Sequence, residues 1–193
     1  MEFEAVIFDC DGTLTDSMPT HFLTWKKVMA DAGGEFPEHR FYELAGVPAD
    51  KVAKIIAAEN GIEIDVHAVV EQRELEFDKL AGQVKPFREV IELADQFRSR
   101  VPIAVGSGSI RRSVEAQLRG LGILDWFSAV VCAEDTERHK PEPDVFLEAA
   151  RRMDVAPERC CVYEDGDLGI EAAHRAGMQV VDVRNFSNRN EST

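Results

Sequence analysis

Four clusters of polar residues, each placed directly after an apolar run, carry the side chains best suited to chemistry. Asp9-Cys10-Asp11-Gly12-Thr13 follows the run 3–8, and Gly106-Ser107-Gly108-Ser109 follows 101–105. A loop ending in Lys140-Pro141 follows 128–132, and Glu164-Asp165-Gly166-Asp167 follows 160–163. Short apolar runs bounded in this way read as buried β-strands. In an open parallel sheet the carboxyl ends of the strands share one edge, and ligands bind there. Several carboxylates, two small hydroxyl residues and one lysine then converge. Crowded carboxylates repel one another, and a hard cation that accepts oxygen ligands and keeps some water, Mg²⁺ above all, relieves the repulsion. A carboxylate held beside such a cation, a lysine and backbone amides is equipped to receive a phosphoryl group. On this reading Asp9 attacks phosphorus, and Asp11, two residues on, serves the leaving oxygen as acid and then as base. Each cluster alone has an ordinary explanation. Asp11-Gly12 makes a turn, Ser107 caps a helix, Lys140 is a solvated loop residue, and Glu164-Asp165 favours a helix N-terminus through its dipole. Their convergence is what argues for a site.

The elements that must position these groups follow from periodicity. Strands are expected at 3–8, 101–105, 128–132, 160–163 and 178–183. Helices are expected at 86–98 from Pro86, at 109–119 with Gly120 as its stop, at 143–153, and at 167–176 with Asp167 as N-cap and Gly177 as its end. Strand and helix in alternation mean an α/β fold, a parallel sheet covered on both faces. Residues 16–84 break the rhythm with three expected helices, from Pro19 to Gly33-Gly34, over roughly 49–59, and over roughly 65–81. The expected organisation is a core of 1–15 and 85–193 with an all-helical insert at 16–84. The tail after Asn185 is polar and expected to fray.

Charge and composition narrow the function. The chain has 193 residues, 45% of them hydrophobic, and a net charge of −14. Such a surface repels nucleic acid and anionic membranes, so neither is expected as a partner. The four cysteines, Cys10, Cys132, Cys160 and Cys161, form neither a zinc pattern nor a disulfide framework, and read as small hydrophobes in a reducing compartment. Met1-Glu2-Phe3-Glu4 lacks a basic leader and no apolar run reaches spanning length, so a soluble cytoplasmic protein is expected. Cys10, between two aspartates, alternates away from them and reads as packing. One residue stands out in the insert: Arg73 interrupts the apolar stripe Val66, Val70, Phe77 and Leu80. A charge there must be paired or face something other than core.

Asp9-Cys10-Asp11-Gly12-Thr13-Leu14-Thr15-Asp16 resembles the first motif of the haloacid dehalogenase-like superfamily. Ser107, Lys140 and Glu164-Asp165 resemble its other three motifs in order, so the resemblance covers nearly the whole chain. It implies a Rossmann-like core with a helical cap and bound Mg²⁺. It also implies Asp9 as nucleophile, Asp11 as acid/base, Ser107 with Gly108 beside it and Lys140 as phosphoryl ligands, and Asp165 with Glu164 at the metal. The metal shell would include Asp9 and the backbone carbonyl of Asp11. The runs 16–22 with Trp25-Lys26, and 162–170, resemble the β-phosphoglucomutase-like subgroup, which includes bacterial phosphatases of fructose 1-phosphate and related sugar phosphates. Arg73 roughly matches a basic cap position of that subgroup, which implies a substrate contact, with a local ion pair as the alternative; His21 is either a cap-hinge histidine at the acid/base and substrate or a helix-surface residue. Dehalogenases lack the second aspartate, so Asp11 implies phosphoryl transfer. Mutases keep an arginine after a Leu-Lys-Gly-Val run, and here Leu44-Ala45-Gly46-Val47-Pro48 is followed by Ala49, which favours hydrolysis. The expected activity is Mg²⁺-dependent hydrolysis of a small phosphorylated metabolite. A phosphoglucomutase-type isomerase is the alternative, and a non-catalytic binding protein on the same fold the third reading.

Overall fold

The structure is a computed structural model that describes residues 3–44 and 47–186. Its contacts divide the chain into two units, Met1–Asp16 with Gly82–Thr193, and Ser17–Ala81. The sequence pattern places the boundaries at 15/16 and 84/85; the contacts break at Asp16/Ser17 and Ala81/Gly82.

The first unit opens with β1 (Ala5–Phe8) and the two-residue β2 (Thr15–Asp16). The second unit supplies the next four elements: α1 (Met18–Asp31), α2 (Glu38–Glu43), α3 (Ala49–Asn60) and α4 (Val66–Ala81). The chain then returns through β3 (Lys85–Pro86), α5 (Arg88–Arg98), β4 (Ile103–Gly106), α6 (Arg111–Gly120) and β5 (Ala129–Val131). It ends with α7 (Asp144–Arg152), β6 (Cys160–Glu164), α8 (Asp167–Arg175) and β7 (Gln179–Asp182). The main sheet is parallel in the order β5-β4-β1-β6-β7. β1 therefore lies at the centre, with Val6 opposite Ile103 on one side and Ala5 opposite Cys160 on the other.

Alternation along β1 divides the core into two layers. Ala5 and Ile7 join Phe146, Ala149, Ala172 and Ala173 from α7 and α8. Val6 and Phe8 join Val90, Ala94, Val114 and Leu118 from α5 and α6. Burial on both faces explains why the strands read as continuous apolar runs. The second unit has its own core of Trp25, Val28, Met29, Phe36, Phe41, Val52, Ala53 and Ile56. α3 ends at Gly61 with φ +65°, the left-handed turn that glycine adopts most easily.

Three expectations are corrected. Pro86 does not open a helix: Lys85-Pro86 pairs antiparallel with Thr15-Asp16, and the Phe87 amide donates to the Leu14 carbonyl at 3.0 Å, so α5 starts at Arg88. A proline fits a two-residue edge strand because no ladder bond there requires its missing N–H. Gly120 does not stop α6 but is its last helical residue. A Cβ there would lie 2.7 Å from the Gly82 Cα, so this glycine answers a close backbone approach, and Gly122, at φ +69°, makes the left-handed turn. The helix α2 was not expected at all, being only 6 residues long. Ala45, Gly46 and the tail from 187 onward lie outside the described residues. No helix among the described residues is long and apolar enough to cross a membrane.

Candidate active site

The site is assembled at the carboxyl edge of the sheet. Just past β1, the Asp9 amide donates to the Tyr163 carbonyl at 3.0 Å, continuing the ladder and fixing Asp9 beside β6. The chain then turns sharply, with the Cys10 carbonyl accepting from the amides of Thr13, Leu14 and Thr15. Gly12 has φ +89°, and a Cβ on it would overlap the Asp165 carboxylate, so both backbone and space require glycine. The Cys10 side chain is buried in the apolar layer. Thr13 Oγ1 donates to Asp165 Oδ1 at 2.7 Å and ties the turn to the end of β6.

Lys140 joins the strand ends. Its Nζ donates to Asp9 Oδ1 and to Glu164 Oε2, each at 2.7 Å, and lies 4.9 Å from the centroid of the Phe146 ring. A Cβ on Gly106 would come within 3.0 Å of that ring, so the glycine ending β4 leaves room for it. The other Glu164 oxygen accepts from the Gly166 amide at 2.9 Å and the Asp165 amide at 3.3 Å. Glu164 can fold back in this way because Gly169, in the first turn of α8, presents no Cβ; one there would overlap the Glu164 carboxylate. Asp167 is the first helical residue of α8 and not its N-cap, which is Gly166; its carboxylate pairs with Arg184 at 2.8 Å.

Asp9, Glu164 and Asp165 each offer an oxygen, all within 4.8 Å of one another. With Lys140 as the cation paired to Asp9 and Glu164, three ionised carboxylates leave a surplus of two negative charges. Burial pushes the Asp9 carboxyl well above the usual carboxylate range, Glu164 adds to this, and Lys140 opposes it. Burial alone would lower the Lys140 ammonium, but Asp9 and Glu164 outweigh it and hold the lysine charged. An oxygen-only donor set with that surplus fits a hard divalent cation.

Ser107 is buried, its amide donating to the Val131 carbonyl at 2.9 Å. Its Oγ accepts from the Ser109 amide at 3.0 Å, which leaves the hydroxyl proton for another acceptor. It does not cap α6, whose N-cap is Ile110. Gly108 is exposed, with nothing within 4 Å of where a Cβ would stand. The Asp11 carboxyl turns toward α6, with Ser109 Oγ 2.5 Å from Oδ2 and Gln117 Nε2 3.0 Å from Oδ1.

His21 and Arg73 lie together in the second unit. Arg73 Nη2 is 2.5 Å from His21 Nδ1, and its Nη1 pairs with Glu74. The guanidinium lies over Trp25 and Phe77, with its Nε buried and lacking a hydrogen-bond partner among the described residues. The charge that interrupts the apolar stripe is thus paired locally. Sequence reading missed Gln117 and Gly169 as parts of the site, and placed Thr13 and Ser109 there without a role of their own. Gln117 carried the signal that Arg73 did: a polar residue three positions after Val114, on the buried face of a helix.

The family described as haloacid dehalogenase-like hydrolase matches residues 3–177. The chain is 39% identical over 183 residues to the fructose-1-phosphate phosphatase YqaB of Escherichia coli, covering 94% of this chain and 97% of that protein. It is 31% identical over 188 residues to the β-phosphoglucomutase of Bacillus subtilis, covering 93% and 83%. A crystal structure of a β-phosphoglucomutase from Clostridium difficile is similar with a TM-score of 0.79 and 26% identity, over 93% of this chain and 84% of that one.

Proposed function

This chain belongs to the haloacid dehalogenase-like hydrolases, and from that premise we propose that it is a Mg²⁺-dependent phosphatase of a small phosphomonoester, a sugar phosphate. The observation that carries the reading is Asp9. Lys140 takes its Oδ1 and leaves Oδ2 with no hydrogen bond among the described residues, on a carboxylate that belongs to the Asp9, Glu164 and Asp165 cluster. The phosphatase relative aligned over nearly its whole length supports the substrate class.

Lys140 and Ser107, with the Gly108 amide beside it, hold the phosphoryl oxygens. Asp9 Oδ2 attacks phosphorus, and the bond to the leaving alcohol breaks as that oxygen takes the proton of Asp11. Asp11, now a carboxylate, takes a proton from water; the water oxygen attacks phosphorus and frees Asp9 and inorganic phosphate. Asp9, Asp165, Glu164 and the Asp11 carbonyl would hold the cation, which supplies positive charge against the phosphoryl oxygens. The cysteines Cys10, Cys132, Cys160 and Cys161 are free thiols, which suits a reducing, cytoplasmic setting.

The test is phosphate release across sugar, nucleotide and glycerol phosphates. Turnover should favour the sugar phosphates, and chelation of divalent cations should lower it at least about tenfold, with Mg²⁺ restoring it. No release from any of them with Mg²⁺ present would overturn the reading. The mutase relative favours a second reading. β-Glucose 1-phosphate with a bisphosphate primer separates the two, because a mutase yields glucose 6-phosphate and the hydrolase yields free phosphate. Ala49, where the mutases keep arginine, opens α3 here and favours the hydrolase.

A further inference from the structure

We propose that Gln117 is the positioning residue of Asp11: its side-chain amide, oriented by Thr15, holds the carboxyl that exchanges the proton. The inference rests on the reading of Asp11 as acid/base given above.

Gln117 is fully buried on α6, beside Val114 and Leu118 of the apolar layer. An amide in such a place is retained when both of its ends find partners. Thr15 Oγ1 donates to Oε1 at 2.6 Å, and Nε2 donates to Asp11 Oδ1 at 3.0 Å. One partner lies in the turn that follows β1 and the other opens β2 just beyond it, so the amide braces that turn from both sides. The orientation is fixed by chemistry: the flipped amide would set its oxygen against the Asp11 carboxylate.

An uncharged partner suits a group that must hold a proton at one step and lack it at the next. The Gln117 amide donates to Asp11 in either state. Ser109 Oγ, 2.5 Å from Oδ2, can donate to the carboxylate or accept from the acid. Because Nε2 only donates, it keeps the acid proton off the lone pair of Oδ1 that it occupies. As the phosphorus–oxygen bond breaks, its electron pair passes to the leaving oxygen, which takes the Asp11 proton. A carboxyl free to swing is aligned for that transfer less often.

The test compares an alkyl phosphomonoester with p-nitrophenyl phosphate, whose leaving group needs no proton. The quantity read is the ratio of their kcat/KM values, and the folded fraction of the sample cancels from it. Gln117→Met, which removes both hydrogen bonds, should lower the alkyl-to-nitrophenyl ratio about tenfold, and Asp11→Asn should lower it about 100-fold. Gln117→Glu, which still accepts from Thr15 but no longer donates to Asp11 while ionised, should match Gln117→Met. A merely structural role for Gln117 would reduce both substrates alike. If the Asp11 variant lowers the ratio and both Gln117 variants keep the wild-type value, the positioning role is overturned and the phosphatase reading stands. If the Asp11 variant also keeps the wild-type ratio, the acid/base reading fails and the role of Gln117 fails with it.

Discussion

Asp9→Asn abolishes turnover while leaving the protein at least as stable as before. The asparagine has the same shape, and its carbonyl can still accept from Lys140, which is 2.7 Å from Oδ1 in the parent. It lacks the lone-pair charge that attacks phosphorus. Removing a covalent nucleophile costs enzymes many orders of magnitude, so a fall in kcat of at least about 10⁴ is expected, near 5.5 kcal/mol of barrier. Stability moves the other way because Asp9 is one of three carboxylates within 4.8 Å of one another, with a single ammonium paired to two of them. Making one of them neutral relieves repulsion in a buried setting. Phosphate release and a thermal melt in chelator, made on one sample, check the two halves together. Turnover above about one percent of the parent would remove Asp9 from the role of nucleophile.

The second large effect comes from a residue that bears no functional group. Gly169→Ala adds one methyl in the first turn of α8, where helix propensity favours alanine by about 1 kcal/mol. The methyl would overlap the Glu164 carboxylate, whose Oε1 lies 2.6 Å from the added carbon. That carboxylate is the far end of a flexible side chain, so the fold survives by letting it move. What is lost is its arrangement: Glu164 must leave the Gly166 amide and Lys140, its partners at 2.9 and 2.7 Å. Disturbing groups that orient a metal's ligands typically lowers affinity about 10- to 100-fold, and a drop in that range is expected for Mg²⁺ by calorimetric titration. The melting temperature in chelator should stay within a few degrees of the parent. In a Glu164→Ala background the same glycine change should add almost nothing, because its effect passes through that side chain. Parent-like Mg²⁺ affinity in Gly169→Ala would show that Glu164 does not depend on the space this glycine leaves.

These residues also mark the limits of reading the chain unfolded. The apolar runs before Asp9, Ser107 and Glu164 were legible because parallel strands are buried on both faces and leave uninterrupted hydrophobic signals. Helix ends were legible where the reason is local, as at Gly61 and Gly177, whose positive φ angles suit glycine whatever surrounds it. Gly120 and Pro86 misled for the opposite reason. Gly120 answers to Gly82, and Pro86 answers to Thr15, and neither partner is near in sequence. Gln117 and Arg73 were both polar residues on buried faces. The pattern flags such a conflict but names no partner for it.

The sequence by itself determined which chemical groups reach the carboxyl edge. The alternation of strand and helix makes the sheet parallel, and a parallel sheet brings the residues after its strands to one side. Only the tertiary structure decided which group each carboxylate meets. Lys140 reaches Asp9 across 131 positions, Thr13 reaches Asp165 across 152, and Gln117 reaches Asp11 across 106. Those meetings depend on β1 lying between β4 and β6, an order set by the packing of the whole sheet. Local periodicity encodes how far a residue is along its own strand or helix, and carries no term for which strand lies beside it.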